Sequence, residues 1–310
     1  MKQVRFWNEV SSLELQSIRG VCLDIDDTLS THGKLTSEAY EALWDLKKAG
    51  FLVIPITGRP AGWCDLIARF WPVDAVVGEN GAFTFFMQEG VRRRIDTPAG
   101  EKPEILRKKL EVLGQKIQAR FPHARWASDQ SYREYDLAID ICEDVPTWKT
   151  QDVDELLALC RKEGAHAKLS SIHVNTWFGD YDKKSGLQHW LAQGAPGVAS
   201  GSMAFAKIPQ WDELIYIGDS PNDEPMFASF KYSVGVANLR KYLDRIHSQP
   251  LWITESESGA GFTEMARRLI DRQPEIELNP GGVGSKNPSS EVCLDEQSES
   301  LLHEVRGERG

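Results

Sequence analysis

The sequence predicts an α/β protein: a Rossmann-like parallel sheet with helices on both faces, plus an inserted α+β cap domain. Three observations predict it. Short apolar runs alternate with helical segments between Ile18 and Val77 and again after Lys183, the order of a parallel sheet with crossover helices. Several of these runs end in carboxylates, hydroxyls or glycine, at the sheet edge where ligands bind in open α/β folds. Between residues 83 and 182 the pattern changes to hairpin-like strands with two long helices.

Taken in order, Ile18 to Ile25 reads as a buried strand, apolar and closed by acidic residues. Thr36 then caps a helix carried by Ala39, Leu43 and Leu46 and stopped at Gly50. Phe51 to Ile56 is a second strand, Ala61 to Phe70 a helix broken by Pro72, and Asp74 to Val77 a third strand. In the insert, Ala82 to Met87 and Val91 to Ile95 form a hairpin around Gln88-Glu89-Gly90. Pro103 to Phe121 and Gln151 to Lys162 are helices, and Tyr135 to Ile141 and Ala167 to Thr176 strands. The alternation returns with a helix from Lys183 to Gln193, the strand Leu214 to Ile217, a helix after Asn222 and the strand Ser233 to Val236. A helix near Tyr242, the strand Leu251 to Thr254 and a helix from Phe262 to Arg272 complete it. The division expected is a discontinuous core at 1–82 and 183–273, a cap at 83–182, and an acidic tail at 274–310 with the composition of disorder.

The charge supports this division. Of a formal net charge of −10, the tail holds half, with eight acidic residues against three basic. The acidic balance argues against a nucleic-acid binder. The absence of a long apolar run and of a leader-like start argues against a membrane span and secretion. The expectation is a cytoplasmic protein acting on a small molecule. Its five cysteines form no C-x-x-C pair, which fits free thiols in a reducing compartment. Gly194 to Ser202 is glycine-rich but matches no phosphate-cradle pattern.

Four segments carry chemistry. In Asp24-Ile25-Asp26-Asp27-Thr28, two carboxylates two residues apart project to one side of an extended chain. One can act as nucleophile and the other can move protons. Alone, D-x-D also suits a polar strand end. Thr57-Gly58-Arg59-Pro60 offers a hydroxyl, an amide and a guanidinium to an anion, or is simply a turn before a helix. Lys183 or Lys184, opening a helix, can neutralise a carboxylate and a phosphate together, or lie in solvent. Gly218-Asp219-Ser220-Pro221-Asn222-Asp223 ends an apolar strand. Its carboxylates with Asp24 make an oxygen-rich site of the kind Mg²⁺ prefers, although these residues also suit a helix cap.

The set D-x-D-x-T, T-G-R, Lys and G-D-x-x-N-D, in this order, resembles the haloacid dehalogenase superfamily of phosphohydrolases. The insert between the second and third segments resembles its IIB branch, whose large α+β (C2) cap occurs in sugar-phosphate, sucrose-phosphate, mannosyl-3-phosphoglycerate and trehalose-phosphate phosphatases. The resemblance implies that Asp24 is the nucleophile and Asp26 the general acid/base, whose backbone carbonyl also ligates Mg²⁺. It implies that Thr57 and Lys183, with Gly58, Arg59 and Asn222 beside them, serve phosphate or substrate. Asp219 becomes a metal ligand, and Asp223 supports the metal directly or through water. Lys183 is preferred to Lys184 because Gly186-Leu187 follow at the family's spacing. Asp27 stands where the family often has glycine, and aspartate tolerates such turns.

For the leaving group, Asn80 in Glu79-Asn80-Gly81 resembles a substrate contact of this branch. In the cap, Ser171, His173 and Asn175 alternate with apolar residues, which puts His173 and Asn175 on one face as candidate contacts. Trp177 is the tryptophan best placed to stack on a sugar; Trp44, Trp190 and Trp252 sit at core-like spacing. The implied activity is Mg²⁺-dependent hydrolysis of a small phosphate monoester, a sugar phosphate, through an aspartyl-phosphate. A phosphomutase on the same scaffold, or a non-catalytic binding or regulatory protein, are the alternatives.

Overall fold

A computed structural model describes residues 4–198 and 207–271. The predicted tail with Cys293, the far end of the glycine-rich stretch and Arg272 lie outside these residues. The first part of the core comprises β1 (Arg5–Phe6), α1 (Ser12–Leu15), β2 (Gly20–Leu23), α2 (Ser37–Lys48), β3 (Leu52–Pro55), α3 (Ala61–Phe70) and β4 (Ala75–Gly78). Then follow β5 (Phe83–Gln88), β6 (Val91–Asp96), α4 (Pro103–Arg120), β7 (Arg125–Trp126), β8 (Asp136–Asp140), α5 (Thr150–Lys162), β9 (His166–Leu169) and β10 (His173–Trp177). The chain returns through α6 (Lys183–Ala192), β11 (Leu214–Gly218), α7 (Glu224–Ser229), β12 (Tyr232–Gly235), β13 (Trp252–Ile253) and α8 (Ser258–Asp271).

Six of these strands form one sheet in the order β1-β13-β12-β11-β2-β3, parallel at every pairing. Successive strand residues face opposite sides, and the packing follows that period. Val21, Leu23, Val53, Ile215 and Ile217 pack with Leu43 and Leu46 of α2 and Phe262 and Met265 of α8. Their neighbours Cys22, Leu52, Ile54, Leu214 and Tyr216 pack on the other face with Leu187 and Trp190 of α6 and Met226 and Phe227 of α7. Burial of these two apolar layers is what holds the sheet between its helices.

Past β3, a parallel bridge between Ile56 and Val77 leads to β4, which pairs antiparallel with β5, and β5 with β6. The inserted region then forms a four-stranded antiparallel sheet, β7-β8-β10-β9. Leu113 and Ile117 of α4 and Val153, Leu156 and Cys160 of α5 cover the face carrying Ile139, Val174 and Leu169. The alternate residues Asp136, Asp140, His173 and Asn175 occupy the opposite, polar face.

Local chemistry explains the element ends. Thr36 accepts from Ala39 N, capping α2 as expected, and Asp182 caps α6 by accepting from Ser185 N. The single strand expected over Ala167–Thr176 is instead β9 and β10. Ser170 turns the chain, its N donating to His173 O at 2.9 Å and its Oγ accepting from His173 N at 3.0 Å. Ser171 therefore sits in the turn and not on the face shared by His173 and Asn175. The last helix starts at Ser258, ahead of Phe262, where Gly259 packs so closely on Leu29 that a Cβ would lie 2.7 Å from its carbonyl oxygen. Trp190 and Trp252 are core residues, but Trp44 is 46% exposed because Leu43 and Leu46 take the buried side of α2. No helix among the described residues is long and apolar enough to cross a membrane.

Candidate active site

Three neighbouring strands deliver the chemistry to one edge. Beyond β2 comes Asp24, beyond β3 Thr57 and beyond β11 Asp219, and the ladder continues there: Asp24 N donates to Ile217 O at 2.9 Å and Ile56 N to Leu23 O at 2.7 Å. The turn after β2 places Asp27 at φ 55°, a left-handed position that aspartate tolerates better than most residues. Across the edge stands the first turn of α6. Lys183, 2% exposed, places Nζ 2.6 Å from Asp24 Oδ1 and 2.6 Å from Asp223 Oδ1. Lys183 rather than Lys184 thus reaches the nucleophile candidate.

The cluster is dense in negative charge. Burial pushes the Asp24 carboxyl up to about 7, with Lys183 opposing and Asp223 and Asp26 adding to the rise. Burial, then Asp24 and Asp223, hold Asp219 well above the usual carboxylate range. Burial would lower Lys183, but Asp223 and Asp24 outweigh it and hold it above an ordinary lysine. Oxygens of Asp24, Asp219 and Asp223 all lie within 4.8 Å of one another. Asp219 has only long contacts, 3.4 Å from Thr28 Oγ1 and 3.4 Å from Asn238 Nδ2, and pairs with no lysine or arginine among the described residues. A buried carboxylate in that state calls for a cation, and hard oxygen donors suit Mg²⁺. Asp223 is more fully engaged. Its Oδ1 also accepts from Tyr216 OH at 2.5 Å, and its Oδ2 from the N–H of Asp219 and Ser220 at 2.9 and 3.1 Å.

On the other side, Thr57 is fully buried and its Oγ1 accepts from Arg59 N at 3.0 Å. Gly58 allows a close approach: a Cβ there would lie 3.2 Å from Asn80 Nδ2 and 3.4 Å from Asn175 Oδ1. Asn80 Nδ2 is buried and has no hydrogen-bond partner among the described residues. The Arg59 guanidinium is taken up by carboxylates. Nε and Nη2 bind Asp26 at 2.7 to 3.1 Å, Nη2 binds Glu143 at 2.9 Å and Nη1 binds Asp129 at 3.4 Å. Its plane lies 4.5 Å from the Trp63 ring centroid. Glu143 also lies 2.9 Å from His173 Nε2; that contact, with Arg59, lowers its carboxyl to about 2 against the opposing effect of burial.

Asn175 donates to Asp136 at 2.8 Å, and Asn222 accepts from Ser220 Oγ at 2.9 Å. Trp177 does not offer a stacking platform. It is 1% exposed, stacks on His166 and Tyr181, and donates from Nε1 to Tyr181 O at 3.0 Å.

Sequence reading missed Tyr216, Glu143, Asp129 and Asn238. Tyr216 reads as strand core, and its ring is core; only its hydroxyl reaches the site. Asp129 and Glu143 stand 70 and 84 residues from Arg59, with no local pattern to join them.

Residues 21–102 match the haloacid dehalogenase-like hydrolase family. No curated protein sequence matches the chain. Among solved structures, protein 0175 of Thermoplasma acidophilum is 20% identical with a TM-score of 0.60, covering 83% of this chain and 99% of its own. The sucrose-phosphatase of Synechocystis sp. PCC6803, solved with sucrose and phosphate, is 15% identical with a TM-score of 0.56, covering 81% and 98%. A phosphatase of the same superfamily from Bacteroides thetaiotaomicron is 15% identical with a TM-score of 0.53, covering 82% and 97%. Residues 21–102 thus carry the sequence of a haloacid dehalogenase-like hydrolase, and the described chain carries its fold.

Proposed function

We propose that the protein is a Mg²⁺-dependent phosphatase for a small phosphate monoester, with sugar phosphates as the substrate class. The core is then formed by 1–82 and 183–273 and the cap by 83–182. The observation that carries the reading is Lys183 held 2.6 Å from both Asp24 and Asp223 beside Asp219, which pairs with no lysine or arginine among the described residues. That arrangement suits a carboxylate nucleophile that must approach an anionic phosphate.

In this reading an Asp24 oxygen bonds to phosphorus as the bond to the leaving oxygen breaks, and Asp26 gives that oxygen its proton. Asp26 then takes a proton from water, whose oxygen displaces Asp24 and releases phosphate. Lys183, the Thr57 hydroxyl and the Gly58 amide stabilise the charge on the phosphoryl oxygens. Asp24, Asp219 and the Asp26 carbonyl would hold Mg²⁺, which when bound supplies Lewis-acid neutralisation of the same oxygens. Asp223, with its oxygens engaged, supports Lys183 and the turn after β11, and would support the metal through Asp219 or a water. Arg59 orients Asp26 and ties it to the cap, and Asn222 steadies the same turn through Ser220. The sugar-phosphate class is supported by the polar face with His173 and Asn175, and by the Asn80 side-chain amide, whose nitrogen has no partner among the described residues. Those groups suit the hydroxyls of a neutral leaving group. The name of the Synechocystis relative points the same way.

The test is phosphate release from hexose phosphates and p-nitrophenyl phosphate with Mg²⁺. Asp24→Asn is expected to abolish it while the melting temperature stays level or rises, because a buried charge is removed. Full activity in that variant would overturn the nucleophile assignment. Isomeric hexose phosphate in place of free phosphate would mark a mutase.

A further inference from the structure

The insert is joined to the core by more than its two chain crossings. Glu79, just beyond β4, is wholly buried and holds φ at 43°, uncommon for a residue other than glycine. Such a backbone persists where its surroundings fix it. No cation binds its carboxylate among the described residues; backbone N–H groups do. Oε1 accepts from Ala61 at 3.2 Å and Glu134 at 3.0 Å. Oε2 accepts from Glu134 at 3.0 Å, Tyr135 at 2.6 Å and Asp136 at 3.3 Å. Ala61 opens α3 of the core, whereas 134–136 lead into β8 of the insert.

The residue just before this segment carries the connection onward. Arg133, its side chain fully buried, donates from Nη1 to Gly58 O at 2.7 Å and to Asp136 Oδ1 at 3.0 Å. Its Nη2 lies 2.9 Å from Asp129. Asp136 in turn accepts from Asn175, whose amide faces Gly58. A continuous chain of contacts therefore runs from Glu79 through 134–136 and Arg133 to the carbonyl of the Thr57-Gly58 loop. Coupling through such a chain has a physical basis, and none of its members is among the four carboxylates of the site.

We propose that Glu79 is a positioning residue: it pins residues 134–136 of the insert to the core, and thereby holds Arg133 where it fixes the loop that grips phosphate. The role assigned to that loop rests on the phosphatase reading above. The chemistry of the pin is demanding. Four N–H groups converge on two oxygens, and those of Ala61 and Asp136, in buried surroundings, would be costly orphans without an acceptor. A glutamine keeps the shape but turns an NH₂ group toward N–H donors, so it cannot replace the carboxylate.

The experiment compares wild type, Glu79→Gln and Arg133→Lys by amide hydrogen exchange and by calorimetric binding of inorganic phosphate with Mg²⁺. Glu79→Gln is expected to speed exchange at 134–136 and also at 57–59, while β2 and β11 stay protected. Its phosphate affinity and kcat/KM should fall by about tenfold or more, as small misplacements near a reacting group do. Arg133→Lys is expected to lose phosphate affinity and loop protection while 134–136 keep theirs. Unchanged exchange at 57–59 in Glu79→Gln overturns the proposal, and so does faster exchange there with wild-type phosphate affinity. Should that variant fail to fold, wild-type loop exchange and phosphate affinity in Arg133→Lys overturn it instead. Wild type that neither binds phosphate nor hydrolyses p-nitrophenyl phosphate sinks the phosphatase reading by itself, because exchange at 57–59 still reports on the pin.

Discussion

Arg59 shows how one side chain joins parts of the site that lie far apart in sequence. Its planar fork reaches Asp26, Glu143 and Asp129 at once and stacks on Trp63, a combination a lysine cannot reproduce as a point charge. Arg59→Lys is therefore expected to lower hexose phosphate hydrolysis by about tenfold or more. p-Nitrophenyl phosphate should suffer less, because its leaving group needs little protonation. Steady-state rates on both substrates check this, and equal losses would count against Arg59 orienting the acid. At this scale the sequence was informative wherever a residue follows an apolar strand: Asp24, Thr57 and Asp219 do, and adjacent parallel strands bring them together. It was silent on side chains whose partners come from the insert. Glu79 reads as a polar residue ending a strand, and only the fold reveals three of its donors at 134–136.

At the scale of elements, the placement of α6 decides where Lys183 points. The helix start was legible because Asp182 caps it, but the reason for the glycines was not. Gly81, at φ 111°, and Gly186 face each other: a Cβ on Gly186 would lie 2.6 Å from Gly81 O, and one on Gly81 2.0 Å from Asp182 O. Both obstacles are backbone, which cannot swing aside as a side chain can. Gly186→Ala is expected to cost about 1–3 kcal/mol through overpacking and to displace the first turn of α6, so Lys183 loses its grip on Asp24. Thermal melts and phosphate release should fall together; wild-type values in both would show that the backbone has room to yield. The same limit explains the strand expected over Ala167–Thr176. The adjacent Ser170-Ser171 interrupt the polar–apolar alternation by one residue, and the bonds of Ser170 to His173 show that this interruption is a turn.

At the scale of the whole molecule, the net charge of −10 describes the buried site poorly. Half of it belongs to residues 274–310, whereas the site concentrates Asp24, Asp219 and Asp223 around a single lysine. The site should therefore govern how stability depends on pH and metal. Burial raises Asp24 from 3.8 to about 7, and Asp219 shifts in the same direction. A carboxyl raised on folding binds more protons in the native than in the unfolded chain. Its contribution to stability is complete below the unfolded pKa and is lost as pH rises through the folded one. For Asp24 that window runs from about 4 to about 7, where metal-free protein should lose stability. Mg²⁺ competes with those protons, so it binds more tightly as they leave and restores about 2.7 kcal/mol when present at a hundredfold its dissociation constant. The expected result is a melting-temperature gain from Mg²⁺ over EDTA that is small at pH 5, large at pH 8 and largely abolished in Asp219→Asn. A gain equal at both pH values would mean that the cation does not bind these carboxylates.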